Sequence, residues 1–301
     1  MKRLSDIGED ALIRKLLKGF PTGELHTGPG DDCAVVDPGR GRLRLLKTDA
    51  IVEGVHFLPE APASKVGWKA AARVLSDFAA MGGQPEYLMV TVALAADTPV
   101  KWVEGLYRGF RRCLEKHGGT LAGGETTSVP KGSAAVISVA GEGSVGRREL
   151  VLRSGGKPGD VLAVTGRLGG SIRGRHLSFS PRLAEGQWLG KMGARAMMDL
   201  SDGLAMDLPR LAAAGSSGFE LEAGLVPRSR GCSLKEALSD GEDYELLVAI
   251  QPRKWQRISD EWPEDFAMLT RIGLLTESGG KLDGGWEHFS GRVASSGRPS
   301  N

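Results

Sequence analysis

Carboxylates set in glycine-rich stretches are the chemistry-bearing feature of this chain. In GPGDDCAVV, Asp31 and Asp32 stand just before a short apolar run at residues 33–36, and Asp49 stands just after a second run at residues 43–46. DPGRG, a cluster of turn formers, lies between them, so the pair reads as an antiparallel hairpin with a loop longer than two residues. The start of one hairpin strand lies beside the end of the other, which predicts that Asp31, Asp32 and Asp49 converge at the open end. Three adjacent carboxylates repel one another unless a cation sits between them, and oxygen-only ligands suit Mg²⁺ or Ca²⁺ rather than zinc. A solvated, metal-free turn is the competing reading, and the hairpin by itself does not choose between the two.

More acids recur along the chain. Asp77, in VLSDFAAMGG, is so closely surrounded by apolar helix positions that it should be largely buried and needs a cation, or a tie to backbone amides or Arg73. Gly123-Gly124-Glu125 brings bare backbone and a carboxylate to one point, as a phosphate or metal site needs, although a plain glycine turn has the same composition. In MDLSDGL, Asp199 and Asp202 are three apart, a spacing that puts both on one side of a turn; N-capping by Ser201 or Asp202 accounts for one acid and not both. A further acidic cluster, ALSDGEDYEL, precedes an apolar run at residues 246–250, and GGWEHF places an aromatic-His-aromatic group near the end. No Ser/His/Asp arrangement accompanies these acids. Scattered carboxylates with no nucleophile suit several Mg²⁺ ions neutralising a polyphosphate, where catalysis is positioning and electrostatics.

The elements that must hold these groups follow from periodicity. Ser5 or Asp6 is expected to cap a first helix with a stripe of Leu12, Ile13, Leu16 and Leu17, and Ser64 to open a long helix through Ala80. Residues 87–95 read as a buried strand. Residues 101–117 read as an amphipathic helix with Trp102, Leu106, Phe110 and Cys113 inward. The strand at 134–140 runs into GEGSVG, a literal GxGxxG. Residues 147–153 after it read as strand rather than an apolar helix, which excludes a dinucleotide fingerprint, and no P-loop is present. Strands are expected at 161–164, 219–222 and 246–250, with a domain boundary near residue 147 and disorder beyond about Arg292.

Composition narrows the class. A chain of 301 residues with 41% hydrophobic and 25% charged residues describes a globular protein of one large domain or, on these patterns, two. A net charge of +2 lends nucleic-acid binding no support. Cys33, Cys113 and Cys232 are too far apart for a CxxC pair, which fits a reducing cytoplasm, and the N-terminus has no continuous apolar core for a signal or anchor.

In order, GPGDDCAVV, KTDAIVEGVHF, LSDFAAMGG, AGGETT, RSGGKPGD, VTGRLGGS, DLSDGLAMDL, GEDYEL and GWEHF closely resemble the thiamine-monophosphate kinase family over nearly the whole chain. The resemblance implies an α/β plus α+β, two-domain fold shared with aminoimidazole ribonucleotide synthetase. Residues 1–146 would form an ATP- and Mg-binding half whose sheet pairs across a homodimer, and residues 147–301 a half completing the site. It implies transfer of phosphate from ATP to thiamine monophosphate with several Mg²⁺ ions. By position, Asp32, Thr48, Asp49, Asp77, Asp199 and Asp202 match the family's metal ligands. Thr48 and Glu125 also fall within the nucleotide and metal set, and Gly124, Arg153 and Ser201 match ATP contacts. His56, Glu242 and Trp286 match thiamine contacts; independently, a thiazolium cation is attracted to an indole face and a carboxylate to the aminopyrimidine's donors.

Four departures stand out. Glu125 occupies a position where Asp is common. Lys47 replaces a small hydroxyl residue, leaving only a backbone carbonyl to ligate there. Asp240 replaces the first Gly of Gly-Gly-Glu-Asp, and the segment between Ser171 and Pro181 is short. A selenophosphate synthetase would want a Cys before Cys33, and a hydrogenase-maturation relative a Cys at the C-terminus; neither is present. The remaining alternatives are an aminoimidazole ribonucleotide synthetase-like enzyme, against which His56 and the Trp286 segment argue, and a non-catalytic nucleotide-binding dimer.

Overall fold

A computed structural model describes residues 3–20, 23 and 25–286, with backbone alone at residues 5, 10 and 14. The expected disorder beyond Arg292, and His288 and Phe289 of the aromatic cluster, lie outside the described residues. A first helix, α1 (Glu9–Leu17), leads into β1 (Leu25–Thr27), β2 (Ala34–Val36) and β3 (Leu43–Val52), with β2 and β3 paired antiparallel. Then come α2 (Ala63–Ala80), β4 (Gln84–Ala95), α3 (Val100–His117), β5 (Thr120–Val129) and β6 (Val136–Val145). These strands make one sheet in the order β1-β2-β3-β6-β4-β5, antiparallel except where α3 carries the chain between the parallel pair β4 and β5.

The alternation along β4 shows how this sheet is used. Leu88, Val90 and Val92 are buried, whereas Tyr87, Met89 and Thr91 between them are exposed. A strand covered on one face only reads this way. The covered face carries α2 and α3.

The second sheet begins with β7 (Val161–Thr165). It continues through α4 (Leu183–Met192), β8 (Ala196–Asp199), α5 (Leu204–Ala214), β9 (Gly218–Leu221), α6 (Leu234–Ser239), β10 (Leu246–Ile250), α7 (Pro252–Asp260) and β11 (Leu269–Thr276). Its order is β8-β10-β7-β11-β9, antiparallel throughout. Here β7 and β10 are buried at every residue, as continuous apolar runs covered on both faces must be. Leu246, Val248 and Ile250 join one core with α2 and the first sheet, while Leu247 and Ala249 face a second core built with Leu204, Leu208 and Leu211 of α5. The first core is therefore shared between the two sheets, and α2 runs through it.

That course demands close approach. A Cβ on Gly67 of α2 would stand 1.9 Å from the carbonyl oxygen of Leu106, and one on Gly109 of α3 would stand 2.0 Å from that of Ser64. The GEGSVG stretch has the same kind of role. It lies within and just after β6, and the bare faces of Gly141 and Gly143 receive the Phe78 ring of α2. Packing, not a dinucleotide, accounts for the motif.

Three expectations differ. Residues 147–153 form a turn and extended chain rather than a strand, because no strand borders β6 beyond residue 145 to pair with them. Gly8, not Ser5 or Asp6, precedes α1, since residues 4–6 close a separate 3₁₀ turn. Ile13, Leu16 and Leu17 are exposed, and Trp102 is only half-buried. No helix of the described residues is long and apolar enough to cross a membrane.

The α2–α3 contact gives a direct test. Gly67→Ala should lower stability by about 1–3 kcal/mol through overpacking, read as a melting temperature several degrees below the parent. A melt superimposable on the parent's would show that the two helices part without cost.

Candidate active site

Helical spacing sets the site. Lys69, Arg73 and Asp77 recur every four residues along α2 and so share one face. Across from them, the alternation of β3 turns Leu43, Leu45, Lys47, Asp49 and Ile51 to the same side. From the second sheet, Asp199 ends β8.

Three of these acids meet. Asp32, Asp77 and Asp199 each offer an oxygen within 4.8 Å of the others, and all are buried, at 2%, 5% and 4% exposure. Lys47 Nζ donates to Asp77 Oδ1 at 2.8 Å, Arg153 donates to Asp32 Oδ1, and Ser76 Oγ donates to Asp199 Oδ2 at 2.6 Å. The second oxygens of Asp32 and Asp77 are buried without a hydrogen-bond partner. Burial drives the Asp77 carboxyl well above the usual range; Lys47 opposes that, while Asp199, Asp49 and Asp32 add to it. Burial and then the charge of Asp32 lift Asp199 to about 6. Two orphaned oxygens on buried carboxylates that Lys47 and Arg153 only partly neutralise fit a hard divalent cation, and Mg²⁺ suits such oxygen donors.

Asp49 does not join this trio. Arg73 holds it through Nε to Oδ2 at 3.0 Å and Nη2 to Oδ1 at 3.4 Å. The convergence expected at the open end of the hairpin is thus replaced by one acid from the hairpin, one from α2 and one from β8. Asp77 also takes a different partner from the Arg73 weighed for it, because Lys47 projects from the facing strand. Asp31 accepts from the backbone N–H groups of Asp32 and Arg153, and burial followed by the Asp32 charge raises it to about 6.

A second cluster lies further along the same face of α2. Lys69 Nζ reaches the His56 carbonyl at 2.6 Å, His176 Nδ1 at 2.8 Å and the Glu242 carboxylate. His176 Nδ1 also lies 2.9 Å from Glu242 Oε2. The backbone N–H of Val52 donates to His56 Nδ1 at 3.1 Å.

Residues 30–145 match the family model described as AIR synthase related protein, N-terminal domain. The thiamine-monophosphate kinase of Rhodopirellula baltica is 36% identical over 285 residues, which span 88% of this chain and 87% of that protein. The chain belongs to the thiamine-monophosphate kinase family. Its fold agrees. A solved structure of AaThiL complexed with AMPPCP and TMP matches at a TM-score of 0.85 and 30% identity, over 96% of this chain and 99% of that one. The thiamine monophosphate kinase of Aquifex aeolicus, solved separately, matches at 0.79 and 29%, over 94% and 100%. The architecture is the AIR synthase-like arrangement of mixed α/β sheets that the motifs implied.

The residues singled out through the family resemblance fall into four groups, the last of them Thr48, Gly124 and Glu125, with Asp49 held separately by Arg73. Asp32, Asp77, Asp199 and Arg153 come together, as do His56 and Glu242. Ser201 and Asp202 sit in the turn after β8, where both backbone N–H groups donate to buried Asp207 at 3.0 Å, and Arg210 pairs with the Asp202 carboxylate. Asp199 and Asp202 therefore do not share a helical turn: the first ends a strand, and Gly203, rather than Ser201 or Asp202, precedes α5. Trp286 is tied to this turn by its backbone N–H to the Asp202 carbonyl at 2.9 Å. The fourth group stands apart from the trio. Thr48 is exposed on the opposite face of β3, and Gly124 and Glu125 are exposed on β5 at the sheet edge.

Sequence reading missed Lys69, His176 and the Lys47 contact. The four-residue spacing of Lys69 from Arg73 and Asp77 is a usable signal for the first. His176 lies in a 3₁₀ turn (Arg175–Leu177) with no periodic pattern, and nothing local marks it.

The raised carboxyls give a pH-dependent test. Asp199 has a folded pKa of about 6 against an ordinary 3.8, so its protonated form favours the fold. That contribution is present below the ordinary value and is lost as pH rises through the folded one; Asp77 shifts in the same direction. A cation bound by the ionised trio reverses the loss. Mg²⁺ should therefore raise the melting temperature clearly at about pH 8 and much less at about pH 5. An equal rise at both would place the bound cation elsewhere.

Proposed function

We propose that this chain transfers the γ-phosphoryl group of ATP directly to thiamine monophosphate, giving thiamine diphosphate and ADP. The observation that carries this reading is the buried trio of Asp32, Asp77 and Asp199, drawn from both halves of a chain in the thiamine-monophosphate kinase family. A relative of similar fold was solved with an ATP analogue and TMP bound, which supports the same pair of ligands here.

Asp32, Asp77 and Asp199 would hold Mg²⁺. Asp49, Asp202, Glu125 and Thr48 would complete the set for several ions. Bound Mg²⁺ supplies neutralisation of the charge that builds on the phosphoryl oxygens. Arg153, anchored by Asp32, offers a guanidinium to the nucleotide's phosphates, and the backbones of Gly124 and Ser201 serve the same ligand. His56, Glu242 and Trp286 hold the acceptor: Glu242 accepts from the pyrimidine's amino group, and the Trp286 indole faces the thiazolium. Positioning and charge carry the reaction, so no covalent nucleophile is needed.

We further assign a homodimer. Leu46, Tyr87 and Met89 are 43%, 52% and 55% exposed on the uncovered face of the first sheet. Register places Leu46 beside Glu142 and Glu142 beside Tyr87, with Met89 in the next row, so they form one apolar face. A second copy would cover it together with the open edge of β5, which carries Glu125. On this reading residues 1–146 bind nucleotide and metal and form the interface, and residues 147–301 complete the site. Three free cysteines, two of them buried, accord with a reducing cytoplasm.

Asp77→Asn should cut thiamine diphosphate formation by ~10²-fold or more, about 2.7 kcal/mol of transition-state stabilisation. The assay is ADP release with thiamine monophosphate as acceptor, on protein that melts like the parent. Near-parent turnover would remove Asp77 from the metal set.

Light scattering at micromolar concentration should give twice the chain mass. A monomer would leave the apolar face without its proposed cover.

A further inference from the structure

Lys69 has 0% exposure, a place where an ammonium is seldom found without full pairing. Its Nζ donates to two acceptors from different segments, the His56 carbonyl and Glu242 Oε2, while His176 Nδ1, 2.8 Å from the ammonium, turns its own proton to the same Glu242 oxygen. The Glu242 side chain is 20% exposed while that of Lys69 is not exposed at all, so of the pair it is the glutamate that reaches the surface.

The backbone around Glu242 carries its own mark. Glu242 and Tyr244 have φ values of 56° and 51°, in the left-handed region that non-glycine residues seldom enter. Their N–H groups are held by the carbonyls of Ser201 and Leu200 at 2.7 and 2.8 Å. A non-glycine side chain kept in that conformation is aimed. Burial would raise the Glu242 pKa, but the His176 contact, Lys69 and Arg73 outweigh it and bring it down to about 2. Glu242 is therefore a carboxylate that only accepts. Its Oε2 is taken by Lys69 and His176, whereas among the described residues Oε1 has only the Tyr244 hydroxyl at 3.5 Å, a weak contact.

We propose that Lys69 is a positioning residue for the acceptor substrate: it locks Oε2 of Glu242 against the His56 segment and so presents Oε1 to the amino group of the substrate's pyrimidine ring. This rests on the reading of Glu242 and His56 as thiamine monophosphate contacts. The clamp joins the loop after β3 to the turn before β10, so the acceptor pocket is set by α2, the helix that also supplies Asp77 to the metal trio. Lys69 touches no reacting atom.

The test is Lys69→Met, which keeps the buried stem and removes the charge. Its KM for thiamine monophosphate should rise ~10-fold or more, while its KM for ATP moves less than about 2-fold. Preference for thiamine monophosphate over the analogue bearing oxygen in place of the pyrimidine amino group should fall by a similar factor. A general loosening of the fold would move both KM values and leave that preference intact. Should Lys69→Met fail to fold, the Lys69→Met/Glu242→Gln double variant removes both charges together. Because the lysine acts through Glu242, the double variant should share the KM of Glu242→Gln alone. A parent-like KM in folded Lys69→Met, or effects that multiply in the double variant, would overturn the positioning role and leave the kinase reading standing. A parent chain that makes no thiamine diphosphate would overturn both.

Discussion

Burying three carboxylates in one place is the constraint from which the rest of this structure follows. Asp32, Asp77 and Asp199 are each almost fully enclosed, and like charges that close cannot all ionise without compensation. The fold supplies part of it from Lys47 and Arg153, and a hydroxyl from Ser76. It stops short of full satisfaction, leaving one oxygen each on Asp32 and Asp77 without a partner. A protein that wanted only stability would fill such a site with apolar side chains. Incomplete pairing of this kind is compatible with a cation, the role proposed for the trio.

α2 is the element that makes the arrangement possible. It lies in the core shared by both sheets, and its charged stripe meets a different segment at each turn. Lys69 reaches the loop after β3 and the turn before β10, Arg73 reaches Asp49, and Asp77 reaches the trio. The Lys69–Glu242 cluster and the carboxylate trio are thus spaced along one helix, separated by two helical turns. Glycines at the α2–α3 contact let the rod sit close to its neighbour, and glycines in β6 let its Phe78 lie against the sheet. Precision at the site is a consequence of packing far from it.

Much of the local structure was legible before any coordinates. The β2–β3 hairpin, α2, the amphipathic α3 and the strands β7 and β10 follow from apolar patterning, whereas β4, expected as a buried strand, is covered on one face only. The errors fall where no such period operates. Among the described residues, 147–153 have strand-like composition but find no neighbour to pair with, and nothing covers the stripe of α1. Spacing misled at Asp199 and Asp202 because the chain changes from strand to turn between them, and a helical rule does not apply across that change.

The sequence by itself determined which residues carry charge and, where apolar periodicity is strong, which element they belong to; with its family motifs it also determined the architecture and the reaction. Which charges meet was decided only in three dimensions. Asp49 lies in the same hairpin as Asp32, yet pairs with Arg73. Asp199 lies 122 positions beyond Asp77, yet shares a pocket with it. Lys69 reads locally as one more helical lysine, and His176 as part of an unpatterned loop. The physical reason is that periodicity reports the face of an element, whereas ion pairing depends on distances between elements. Those distances are set by the side chains packed between α2 and the two sheets.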